Sequence, residues 1–195
     1  MNFLPMEVNV KGTTAKYANE FLSLKCSVDM MLLKLFPNFK EITESFSAYN
    51  AARKYLWRRG FKPEDNDVHC FIVGDGHTPR TGATFAFRTA WQCISIDPLL
   101  NPNFQNQITR LECWSKPVED ITNVPQFKKA VIVAVHSHAN LDGAVQKICG
   151  TTEFDQLAII SMPCCVPQTI KDWEPEYQYT DYAVWSPMRT VKIWV

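Results

Sequence analysis

No charge of either sign dominates this chain. Twenty basic residues meet twenty acidic ones over 195 residues. The overall charge therefore gives no electrostatic reason to expect a nucleic-acid or membrane partner. Apolar runs of membrane-spanning length are missing too. The opening "MNFLPMEVNVKG" lacks the basic start and long apolar stretch of a secretory signal. Repeats and low-complexity tracts are absent, which excludes solenoids and arrays. Histidine is scarce, at four residues, so a histidine-rich metal centre has few ligands to draw on. Cysteine is odd in number, at seven, and unevenly spread. That pattern fits a reducing compartment rather than a disulfide framework. The chain reads as a cytoplasmic protein, or one in the host cytoplasm for a viral gene.

Hydrophobic residues make up 46% and charged residues 21%, the balance of an ordinary globular domain. A chain of this length suits one domain with a helical extension. Its amino-terminal part has helical periodicity. Tyr17, Phe21, Leu24, Val28, Met31, Leu32 and Leu35 recur on one face between Thr13 and Phe36, and Pro37 ends the segment. A second helix is predicted from about Glu41 to Arg59, stopped by Gly60. Its end, "ARKYLWRRGFK", is basic and aromatic. A solvated helix face is the plain reading. A nucleic-acid role requires that face to open onto the active cleft.

After "PEDND" the pattern changes. "VHCFIV", "QCISI", "ITRLECW", "AVIVAV" and "LAIIS" read as buried strands. Helices are predicted at 82–90 and 141–148. "DYAVWS" and "RTVKIWV" read as a closing strand pair. The expected fold is α/β: a Rossmann-like, mostly parallel sheet with an antiparallel C-terminal edge hairpin, plus N-terminal helices. Residues 1–62 form the predicted extension and 63–195 the sheet domain.

Ligands of open α/β sheets bind outside the carboxyl ends of the strands. "VGDGHTPRTG" follows the first strand. Gly74 and Gly76 allow a sharp turn and a close approach of ligand to backbone. Asp97-Pro98 ends the next strand, near the separation of the dinucleotide fingerprint, where a carboxylate takes ribose hydroxyls. The loop departs from the usual Gly-x-Gly-x-x-Gly spacing, which favours an adenosine ligand without a pyrophosphate. Glu119 and Asp120 after the third strand sit at the same end, for an adenine amino group or, for Asp120, a helix cap.

The order strand–"GDG", strand–"IDP", strand–"VED", strand–"VHSH", strand–"MPCC" resembles the class I S-adenosylmethionine-dependent methyltransferases over Asp67 to Val195. "AVHSHANLDGAV" is similar to the Gly-Leu-His-x-Cys-Gly-Asp-Leu segment of one branch, which also carries Pro-Cys-Cys after strand five. That branch includes a tRNA 2'-O-methyltransferase. Where it has Cys-Gly-Asp, this chain has His138-Ala139-Asn140, which removes an acid. The resemblance implies S-adenosylmethionine as cofactor, held by Gly74, Asp75, Gly76, Asp97, Pro98, Glu119, Asp120 and His136. It implies His136 or His138 as the catalytic base, with Arg80, Cys164 and Cys165 on the substrate side. It also implies RNA as acceptor, and the lack of a target-recognition domain suggests a protein partner that supplies specificity.

Other readings stand beside it. A non-catalytic binding or structural protein on the same fold is one. A metal-dependent hydrolase is another, because His136-Ser137-His138 with Asp142 nearby resembles a His-x-His-x-Asp-His loop, but the Asp-His that should follow His138 is missing. Cys164 and Cys165 are read as buried small hydrophobes, as a pyrimidine nucleophile, or as zinc ligands with the histidines. Adjacent side chains diverge along a strand, so no metal site is predicted. Trp173, Tyr177 and Tyr179 are read as loop packing or as base-stacking residues.

Overall fold

The computed structural model describes residues 15–150 and 153–195. The opening segment judged above for a signal, and Thr13 at the head of the first predicted helix, lie outside these residues.

The first helical stretch is two helices, α1 (Lys16–Leu22) and α2 (Ser27–Leu32), not one. Ser23 breaks it by turning its hydroxyl back onto the Glu20 carbonyl at 2.7 Å, an alternative to helix continuation. Helix α3 (Phe39–Ala51) starts where the Asn38 side chain accepts the Glu41 N–H. It runs on through a π-helical turn (Ala52–Leu56) and a tight 3-10 turn (Trp57–Arg59). Gly60, at φ +96°, stops it as predicted.

Seven strands follow in the sheet order β3-β2-β1-β4-β5-β7-β6. β1 (Val68–Val73), β2 (Gln92–Ile96), β3 (Leu111–Trp114), β4 (Lys129–Val135) and β5 (Gln156–Met162) are mutually parallel. β7 (Thr190–Trp194) joins β5 antiparallel and pairs with β6 (Tyr177–Thr180). The edge hairpin is present, but its first strand precedes "DYAVWS". Ala183 and Val184 are buried in a turn instead, which accounts for their apolarity.

Both faces of the sheet are covered, as the continuous apolar strands require. Along β1, Val68, Cys70 and Ile72 face a core shared with Tyr17, Phe21, Phe46 and Phe85. Phe71 and Val73 face the other, with Leu141, Ala144 and Ile148 of α5 (Leu141–Cys149). Helix α4 (Arg80–Arg88) connects β1 to β2. The first core joins residues before 62 to the sheet, so the amino-terminal helices form a layer of one structure. Asp181, in the β6–β7 turn, anchors that layer. It accepts hydrogen bonds from Tyr17 and, at 2.6 Å, from Ser47. Among the described residues no helix is long and apolar enough to cross a membrane.

Candidate functional site

Strand order reverses at β1, whose neighbours are β2 and β4. Crevices form at such points, outside the carboxyl ends of the strands. Here the crevice is a cleft of about 480 Å³ lined by Gly74, Gly76, Asp97, Glu119, His136 and His138, among others.

The glycine loop is built by backbone necessity. Gly74 has φ +76° and Gly76 φ +79°. A Cβ on Gly74 would stand 2.3 Å from Ser137 Oγ, because the loop after β4 crosses directly over it. The Gly76 N–H donates to Asp97 Oδ2 at 2.9 Å, and the Leu99 N–H donates to Oδ1 at 2.8 Å. Two backbone donors thus hold the half-buried Asp97 carboxylate at the end of β2. Each oxygen keeps a further lone pair for a ligand.

Asp75 does something else. The prediction placed it beside the cofactor, but it is absent from the cleft lining and points into the protein at 3% exposure. It accepts from Thr81 N–H and Gly82 N–H, both at 2.9 Å, and from Ser95 Oγ at 2.7 Å. It ties the start of α4 to β2. Burial pushes its carboxyl up, against the opposing pull of Arg80 and these three hydrogen bonds. Asp120 also lies outside the cleft lining. It closes the 3-10 turn Val118–Asp120, and Pro117 rather than Asp120 precedes that turn. Pro98 and Glu119 line the cleft.

His136 follows β4 directly, in the left-handed region at φ +49°. Its Nδ1 lies 3.1 Å from Glu44 Oε1, and its Nε2 lies 2.7 Å from the Met188 carbonyl oxygen. Both neighbours are acceptors, so the ring satisfies both contacts as a donor when it is protonated. Burial would depress its pKa, but the Glu44 carboxylate and the Met188 carbonyl outweigh burial and raise it. In its protonated form the ring has no free lone pair to accept a proton.

Helix α3 supplies residues the sequence reading missed. Glu44, at 1% exposure, binds His136 and also Lys40 Nζ at 2.7 Å. Burial would raise its carboxyl, yet those two partners bring it below its ordinary value. Glu41 pairs with Arg80 Nε at 2.7 Å, so the predicted substrate-side arginine lines the cleft while latched to α3. The signal was present in "ITESFSAYNAA". It is helical, contains no basic residue and is full of small ones, so it has no broad solvated face, and an acid within it needs a partner.

His138 is exposed, and its Nε2 lies 3.4 Å from Cys165 Sγ. Cys164 and Cys165 flank the cleft through this contact rather than lining it. Burial raises the Cys164 thiol, but the Val166 and Cys165 N–H groups, the Cys165 thiol and His138 bring it down to about 7. Asn140, where the resembling branch has an acid, accepts the Gly143 N–H at 3.2 Å and caps α5.

The basic segment does not reach this cleft. The Arg59 and Gly60 carbonyls accept hydrogen bonds from Gln156 and Lys129, the first residues of β5 and β4. The segment therefore sits at the amino end of the sheet. Tyr177 packs on Tyr55 there, ring centroids 4.5 Å apart, and Trp173 accepts a bond from Trp194. None of these aromatics lines the cleft.

Sheet order and the glycine loop after β1 give a Rossmann-like fold with an antiparallel edge hairpin. Solved structures share it. A mutant of MtNAS in complex with S-adenosylmethionine matches 93% of this chain and 70% of its own, with a TM-score of 0.53 and 10% identity. The Burkholderia thailandensis 1,6-didemethyltoxoflavin-N1-methyltransferase, with bound 1,6-didemethyltoxoflavin and S-adenosylhomocysteine, matches 97% of this chain and 92% of its own. Its TM-score is 0.50 at 13% identity. Likeness at these identities establishes the fold alone. No protein-family model and no curated protein matches the sequence.

Proposed function

We propose that the cleft binds S-adenosylmethionine and that the protein transfers its methyl group to an acceptor. One observation carries this reading: the Gly76 N–H and the Asp97 carboxylate, 2.9 Å apart, join a left-handed glycine loop to a strand-end acid. The residues present fit the cofactor. Asp97 retains one lone pair on each oxygen, suited to a vicinal ribose diol. Gly74 and Gly76 leave backbone open beside it. Glu119 is an exposed acid in the 3-10 turn after β3, suited to an adenine amino group.

Bound S-adenosylmethionine supplies an electrophilic sulfonium methyl, so the protein's task is chiefly alignment. Asp97 and the glycine loop fix the donor end. Glu44, through His136, holds the end of β4 at the cleft wall. A protonated His136 donates through both nitrogens, which favours an acceptor that is nucleophilic without its help. Amine nitrogens and thiols meet that condition, whereas a ribose hydroxyl needs a base. RNA as acceptor rests on the family resemblance, and the basic face lies at the opposite end of the sheet.

A binding protein on the same fold is the second reading. It is favoured by the commitment of His136 to Glu44 and Met188 and by the capping role of Asn140. Methyl-tritiated S-adenosylmethionine separates the two. The protein is incubated with pools of small amines and thiols, of protein, and of RNA. Label transferred to any pool establishes the enzyme and names the acceptor class. Tight binding with no transfer to any pool favours the binding protein.

A further inference from the structure

The segment Pro163-Cys164-Cys165-Val166-Pro167 follows β5. In a strand, successive side chains point to opposite faces, which is why the pair looked unfit to chelate. The chain leaves β5 at Met162, however, and bends over residues 164–166 between two prolines. The bend brings the two sulfurs to 3.7 Å without joining them. His138, from the loop after β4, brings Nε2 to 3.4 Å from Cys165 Sγ. All three donor atoms lie within 4.8 Å of one another.

These spacings have a chemical meaning. Zinc bonds of about 2.3 Å to sulfur and about 2.0 Å to nitrogen, at tetrahedral angles, place two sulfurs about 3.8 Å apart and a sulfur and a nitrogen about 3.5 Å apart. The observed 3.7 and 3.4 Å lie close to those tetrahedral edges. Thiolates and imidazole select zinc over magnesium or calcium, which prefer oxygen. We propose that Cys164, Cys165 and His138 form a zinc site at the rim of the cleft, with its fourth position open.

Among the described residues the cluster contains no fourth cysteine, histidine or acid. Three protein ligands and one exchangeable position characterise catalytic rather than structural zinc. The fourth ligand is therefore water, or a thiol or other donor atom of a molecule entering the cleft. Binding involves no redox change: Zn²⁺ replaces the thiol protons, which pass to solvent. The site stands on its own geometry and holds whether or not the cleft binds a methyl donor.

Cobalt(II) is the probe, because thiolate ligation gives it a near-ultraviolet charge-transfer band and tetrahedral geometry gives strong visible bands. The full chain, reduced and metal-free, is titrated with cobalt and then with zinc. The expected result is one equivalent of tetrahedral cobalt with the thiolate band, displaced by one equivalent of zinc. Cys164→Ser and Cys165→Ser should each weaken zinc binding at least tenfold and reduce the thiolate band. His138→Asn should weaken binding while keeping the band. Cys113→Ser, on β3, should change nothing. Unfolding midpoints of the metal-free variants serve as the fold control, since Cys165 is exposed. A wild-type chain that gives no thiolate band overturns the proposal. So does a band unchanged in both Cys164→Ser and Cys165→Ser. A chain isolated with these cysteines joined in a disulfide, and still unable to bind cobalt after reduction, overturns it as well.

Discussion

Glu44 of α3 reaches the ring of His136 at the end of β4, with Oε1 and Nδ1 3.1 Å apart. The contact joins the amino-terminal layer to the wall of the cleft. Glu44→Gln leaves the imidazolium without its counter-charge in a largely dry place. Breaking one side of such a pair costs about 3 kcal/mol. Urea unfolding should show that loss, and a change well under 1 kcal/mol would mean that the pair is solvated.

The same pair sets a pH dependence. The His136 pKa is raised from its ordinary 6.5, so its stabilisation is complete below 6.5 and is lost as pH rises through the raised value. The Glu44 pKa is lowered from 4.5, so its share is present above 4.5 and is lost as pH falls through the lowered value. Lys40, Glu41 and Arg80 surround the pair. Stability from this cluster should therefore peak between the two ordinary values. Unfolding curves of wild type and Glu44→Gln across pH should converge toward either extreme. Parallel curves would assign the dependence to other groups.

Gly74 and Gly76 should differ in tolerance. Alanine at either adopts a left-handed backbone at about 1 kcal/mol. At Gly74 the new methyl also meets Ser137 Cα at 3.0 Å, which is backbone. At Gly76 the nearest atoms belong to the end of the flexible Arg80 side chain, the closest at 2.8 Å. Gly74→Ala should thus be the more destabilising by thermal unfolding, and equal midpoints would contradict the close crossing over Gly74.

Asp181→Ala removes the common acceptor of the Tyr17 and Ser47 hydroxyls. Two buried donors left unpaired should cost about 2 to 4 kcal/mol. One cooperative transition at a lower midpoint is expected, because the helical layer and the sheet share a core. Separate transitions for the two parts would show that residues 1–62 fold apart.

Much of this architecture was legible in the sequence where local signals sufficed. β1 announced itself as an apolar run ending at Gly74, and Gly60 marked the end of the α3 segment. The edge hairpin was misplaced because Ala183 and Val184 carry apolarity for a buried turn, while β6 alternates Tyr177, Gln178, Tyr179 and Thr180 in the weaker pattern of an edge strand. Asp75 and Asp97 looked alike, each an acid near a strand end. Only long-range bonds to Ser95 and Gly82 separate the buried anchor from the acid of the cleft. His136 looked like a base because its partner Glu44 lies 92 positions earlier in the chain. The cysteine pair looked divergent because strand geometry was carried past Met162.

The central claim is that Asp97 and the glycine loop form a nucleoside site, and calorimetric titration with S-adenosylhomocysteine tests it most directly. Wild type should bind one equivalent. Asp97→Asn, which keeps the shape but loses the charge, should weaken binding about tenfold or more, the worth of a charged hydrogen bond. Its unfolding midpoint should stay near that of wild type. No binding to the wild-type chain, or equal affinity in the two proteins, would contradict the account.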